Sequence, residues 1–68
     1  MQSIHPQYIN EIQVSKITGI ALSTLRNHRF EGRGIPYIKL KKSVRYKYQD
    51  VIDYMESRRI QTEVIERG

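Results

Sequence analysis

The chain has 68 residues, no cysteine, and twelve Lys and Arg against seven Asp and Glu, for a formal net charge of +5. That length permits one small domain, which buries only about 60% of the surface exposed by its unfolded chain, and neither a disulfide nor a thiolate-bound metal can brace it. No apolar run is long enough for a membrane span or a signal-peptide core, so the default location is the cytoplasm, with nucleoid association if the partner is DNA.

Residues 1–7 form a flexible arm, with Pro6 blocking regular structure just before the domain and His5 without a partner. Ile9-Asn10-Glu11-Ile12-Gln13-Val14 then reads as a helix start. Asn10 can accept from the Gln13 N–H while Gln13 reaches back to the Asn10 N–H, and Ile9 and Val14 can close over the cap as a hydrophobic staple. Val14 and Ile17 share the inner face of this first helix. Thr18-Gly19-Ile20 ends it after about two turns, Gly19 supplying the left-handed backbone of a sharp corner.

A second helix is expected over 22–30, with Leu25 turned inward toward Val14 and Ile17. At 100° per residue, Leu22, His28 and Arg29 fall on the same side as Leu25, whereas Ser23, Asn27 and Phe30 point outward and Arg26 and Glu31 flank them. Two helices this short cannot stand alone. As a helix-turn-helix they present the second helix to a partner, and Arg and Asn suit guanine and adenine edges in the major groove.

Gly32 and Gly34 can end the second helix, and Pro36 restrains the entry to the next element. The glycine pair lacks the spacing of a phosphate loop, which leaves Arg33 as a phosphate-contacting residue on a structural connection. Residues 37–48 alternate as a β-hairpin. Ile38 and Leu40 share one face and Tyr37, Lys39 and Lys41 the other; on the return, Val44, Tyr46 and Tyr48 lie opposite Arg45 and Lys47. The turn falls around Lys41-Lys42-Ser43, which has no glycine. A third helix over about 49–59 carries Asp50 and Asp53 near its start and Arg58 and Arg59 near its end, as the helix dipole favours. Val51, Tyr54 and Met55 are expected to close the core against Ile38, Leu40 and Tyr46. Residues 60–68 are a C-terminal tail, with Ile60, Val64 and Ile65 available as an anchor for a partner.

Charge is concentrated in the middle of the chain. Residues 26–47 hold eight basic side chains against the single acid Glu31, a net of +7, whereas four basic and six acidic residues outside that stretch leave a net of −2. Such a footprint calls for a polyanion. The basic stretch lacks the long amphipathic helix that a lipid surface needs, so nucleic acid is expected and a membrane is not. No catalytic constellation is visible. Ser23 and His28 project about 140° apart on one helix, and no set of metal ligands, nucleophile and base, or cofactor motif is present.

Tyr8-Ile9-Asn10-Glu11, Ile17-Thr18-Gly19-Ile20, Ser23-Thr24-Leu25-Arg26-Asn27, Gly32, Pro36-Tyr37-Ile38-Lys39-Leu40, Val44-Arg45-Tyr46 and Asp50-Val51 occur in that order. This set resembles the excisionase-family helix-turn-helix domains, relatives of the MerR-type regulators found among prophage regulators and phage excisionases. The resemblance covers residues 8–59. It implies an α+β, mainly α, winged helix-turn-helix: two short helices, a β-hairpin wing and a C-terminal helix. By resemblance Ser23, Thr24, Arg26 and Asn27 contact bases, while Lys39, Lys41, Lys42 and Arg45 belong to the wing; Arg33 and Lys47 join these as backbone contacts. Ala21 stands where such domains cap the second helix with serine, His28 where they have tryptophan, and the hairpin tip lacks their glycine.

The expected function is therefore a small, non-enzymatic transcriptional regulator of a phage or mobile element that binds double-stranded DNA sequence-specifically, alone or beside further copies of itself. One alternative is an excisionase, which bends attachment-site DNA and contacts an integrase. Another is a protein-interaction module for an acidic partner, with the tail as its anchor. RNA is less suited, because no exposed aromatic array is visible on a sheet.

Overall fold

The computed structural model describes residues 7–60. The expectations for the arm at 1–6 and the tail at 61–68 lie outside the described residues. The order of elements is β1 (Tyr8–Ile9), α1 (Glu11–Thr18), α2 (Leu22–Glu31), β2 (Ile38–Leu40), β3 (Ser43–Lys47) and α3 (Tyr48–Ser57). The fold is α+β and mostly helical, with three helices beside a three-stranded antiparallel sheet in the order β1-β3-β2.

Local chemistry sets the helix boundaries. Asn10 and Gln13 form the reciprocal capping box, both bonds 2.9 Å long. Ile9 and Val14, on either side of the cap, are both buried, as a staple requires. Gly19 ends α1 with φ +77°. The corner is then held by side chains: the Thr18 hydroxyl donates to the Val14 carbonyl at 2.8 Å and accepts from the Ile20 N–H at 3.1 Å, while Ser15 Oγ donates to the Ile20 carbonyl at 2.7 Å. α2 begins at Ala21 without a side-chain cap. It ends in a Schellman motif: Gly32, at φ +73°, donates to the Arg29 carbonyl, and the Arg33 N–H donates to that of His28.

The core consists of Ile9, Val14, Leu25, Ile35, Tyr46 and Val51, with Ile20, Leu22, Val44, Tyr48 and Tyr54 packed against it. Every element except β2 contributes to it. Sequence periodicity expected Ile17, Met55, Ile38 and Leu40 there as well, and all four are at least 39% exposed. Ile20 from the corner and Leu22 from α2 pack against the core where Ile17 was expected.

Strand register explains Ile38 and Leu40. The loop is only Lys41-Lys42, so Leu40 pairs with Ser43, Lys39 with Val44 and Ile38 with Arg45. β1 completes the sheet, with Tyr8 opposite Lys47 and Ile9 opposite Tyr46. Directly paired residues share a face. The face with Ile9, Tyr46 and Val44 turns toward the helices and takes Lys39 with it; Tyr8, Ile38 and Leu40 lie on the other face with Arg45 and Lys47. A hairpin whose two strands alternate correctly in isolation is thus joined in a register that separates their apolar sides.

Candidate nucleic-acid interface

α2 and the hairpin face each other across an open groove of about 540 Å³, lined by Arg26, Arg29, Phe30, Tyr37, Lys39, Lys41, Lys42 and Val44. Lys39 reaches it because its pairing with Val44 turns it to the helical side of the sheet. Lys41 and Lys42 form the hairpin tip, where Lys41 holds φ +53°, a conformation usually left to glycine. Among the described residues no acid lines this groove. Such concentrated positive charge favours an extended polyanion over a small neutral ligand.

One carboxylate sets the helical side of the groove from behind. Glu11, on the first turn of α1, accepts from Arg26 Nη2 at 2.6 Å and Nε at 3.2 Å, and from Arg29 Nη2 at 3.1 Å. Arg29 Nη1 donates in addition to the Tyr46 hydroxyl at 2.7 Å, and its guanidinium lies 5.8 Å from the centre of the Tyr37 ring. The hydrogen bond from Arg26, supported by the one from Arg29, holds the Glu11 carboxyl below its ordinary pKa against the opposing effect of burial. Burial works against the charge on Arg29, but the hydrogen bonds to Tyr46 and Glu11 outweigh it and raise its pKa. Arg29 is therefore a fixed charge joining α2 to the sheet and α1, its side chain only 17% exposed. Arg26, bonded to the same carboxylate, is 57% exposed and keeps an open side toward the groove.

The expected base-contacting residues are close together on α2. Ser23, Arg26 and Asn27 are exposed on one stripe, whereas Thr24 is half-buried. Among the expected backbone-contacting residues, the structure brings Lys39, Lys41 and Lys42 to the groove. Arg33 lies past the end of α2, exposed and paired with Glu31 at 2.7 Å. Arg45 and Lys47 sit on the sheet face turned away from the helices, Arg45 half-buried with Nη1 donating to the Val44 carbonyl at 2.9 Å.

Phe30, which the sequence placed in the outward set of α2, lines the groove, and Arg29 and Tyr37 line it without having been named among the expected contacts. For Arg29 the signal was present: an arginine on the inner side of a helix needs an acid, and Glu11 is the only one in the first two helices besides Glu31. Tyr37 gave no such signal, because its place depends on hairpin register. Among the described residues no helix is long and apolar enough to cross a membrane. No protein-family model matches the chain, and no curated protein matches it either.

Proposed function

We propose that the chain is a sequence-specific double-stranded DNA-binding protein, acting as a small transcriptional regulator of a phage or mobile element. In this reading the fold is a winged helix-turn-helix of the excisionase type, α2 enters the major groove, and the hairpin is a wing along the backbone. The observation that carries it is the groove between α2 and the hairpin, lined by arginines and lysines with no acid among the described residues, and the exposed stripe of Ser23, Arg26 and Asn27 beside the lysines of the tip. The stripe offers donors and acceptors that can name a base; Lys39, Lys41 and Lys42 offer point charges suited to phosphate. Selection from random duplexes on the purified chain, followed by binding titrations at several salt concentrations, tests it. The expected result is one enriched motif and a log affinity that falls linearly with log salt. Equal affinity for the enriched and a scrambled duplex refutes sequence-specific binding.

A second reading is the excisionase. Tyr8, Ile38 and Leu40 stay exposed beside Arg45 on the sheet face turned away from the groove, which would leave a bound DNA free to be shared with a recombinase. Bending of direct-repeat DNA by several copies, together with integrase capture that is lost in Leu40→Ser, distinguishes this reading from simple repression.

A further inference from the structure

Phe30 is the largest apolar side chain of α2, and it is 92% exposed. Folding gains nothing from it where it stands. At 100° per residue it shares a stripe about 100° wide with Ser23, Arg26 and Asn27. It also borders the groove beside Lys39 and Lys41. If α2 enters the major groove, a phenyl ring held out on the stripe of Arg26 and Asn27, across from the lysines, would meet a base edge. The major-groove edge of DNA displays one apolar group, the C5 methyl of thymine.

We propose that Phe30 forms a thymine-recognition site on α2, packing its ring against the C5 methyl while Arg26 and Asn27 read neighbouring polar edges. The inference rests on the DNA-binding reading above and adds a base to it. An apolar contact to the C5 methyl rejects cytosine, which has no methyl group and presents an amino donor instead.

The test uses the full chain and the duplex obtained by selection. Each thymine is replaced singly by 2′-deoxyuridine, which removes the methyl group and keeps the Watson–Crick pairing. The wild type should lose about fourfold in affinity at one or two positions, the worth of one buried methylene-sized group (roughly 0.8 kcal/mol). Phe30→Ala should bind the thymine duplex more weakly and be indifferent to uridine at those same positions. Phe30→Leu, which keeps an apolar end, should retain part of the sensitivity. Because the ring is exposed, both variants should keep the wild-type thermal midpoint.

The proposal is overturned if Phe30→Ala loses as much as the wild type on uridine substitution, or if no single uridine weakens the wild type. It is equally overturned if Phe30→Ala binds the thymine duplex as tightly as the wild type, which would assign the ring to another partner. A wild type that binds no duplex at all defeats the DNA reading itself, an outcome distinct from each of these.

Discussion

The Glu11 carboxylate and the Arg26 guanidinium meet at 2.6 Å, joining the first turn of α1 to the middle of α2. Arg26 is thereby oriented before any ligand arrives, so less freedom is lost on binding than for an untethered arginine. Glu11→Gln keeps the shape and removes the charge. Because the Glu11 pKa is lowered in the folded state, its contribution to stability is present above the ordinary carboxylate pKa and is lost as pH falls through the depressed value. Urea unfolding at a series of pH values should therefore show a shallower acid limb for Glu11→Gln than for the wild type. An unchanged acid limb would mean that the pair contributes nothing to folding.

Gly19 and Gly34, two of the three left-handed glycines around α2, should respond unequally to alanine. Both have positive φ, but a Cβ at Gly19 meets nothing within 4 Å, whereas one at Gly34 would lie 2.8 Å from the His28 Cβ and 2.9 Å from its Nδ1. Gly19→Ala should cost only the backbone strain, about 1 kcal/mol. Gly34→Ala should add overpacking of about 1–3 kcal/mol. Denaturant unfolding measures both, and His28→Ala, which removes the ring but keeps the Cβ, should relieve part of the cost at Gly34 while leaving that at Gly19 unchanged.

Ala21→Ser should stabilise the domain by about 1 kcal/mol. Position 21 already has extended backbone, φ −61° and ψ 145°, and no side chain there accepts from the first turn of α2. A serine hydroxyl can take that role without any change of path. A thermal midpoint no higher than that of the wild type would show that the first turn is already satisfied in another way.

Lys41→Gly should separate two properties of the hairpin tip. Relief of the φ +53° conformation should stabilise the fold by up to about 1 kcal/mol, partly offset by the greater freedom of glycine in the unfolded chain. If Lys41 contacts a phosphate, as proposed, losing its charge should reduce the slope of log affinity against log salt by about one. Higher stability together with weaker, less salt-dependent binding is the expected pair of results. Unchanged binding would remove Lys41 from the interface.

Replacing Arg26 or Asn27 with Ala should weaken the best duplex by about five- to hundredfold and flatten preference at one or two base pairs. Lys39→Ala and Lys42→Ala should weaken all sequences alike. Titration on the selected and a scrambled duplex decides between these patterns. If the lysine variants change which sequence is preferred and the α2 variants do not, the hairpin is the reader.

The parts of the fold that were legible in the sequence depend on neighbours a few residues away. Asn10 with Gln13, Gly19 at the corner and Gly32 after α2 act within one turn of chain, and residue type alone indicates their geometry. The inward Leu25 and the outward Ser23, Asn27 and Phe30 follow from helical periodicity. What the sequence did not disclose is settled at a distance. Alternation places Ile38 and Leu40 together but does not say which side of the sheet they join; the two-residue loop and pairing with β3 decide that. Tyr8–Ile9 is too short to be read as a strand without its partner. The groove was legible as a concentration of charge, and its boundaries were not, because they depend on that same register.

β1 contains only two residues, yet it pairs with β3 across the intervening helix pair and β2, and the Tyr48 N–H donates to the Gln7 carbonyl at 2.8 Å. The helix pair and the hairpin each close short loops, whereas this junction spans both, so its closure costs less entropy once they have formed. It also fixes the start of α1 to the start of α3, with Ile9 and Tyr46 buried at the seam. A contact of such wide sequence separation ties the helix pair to the hairpin. With β1 paired to β3 and α1 packed on both α2 and β3, one seam sets the distance across which α2 and the hairpin face each other.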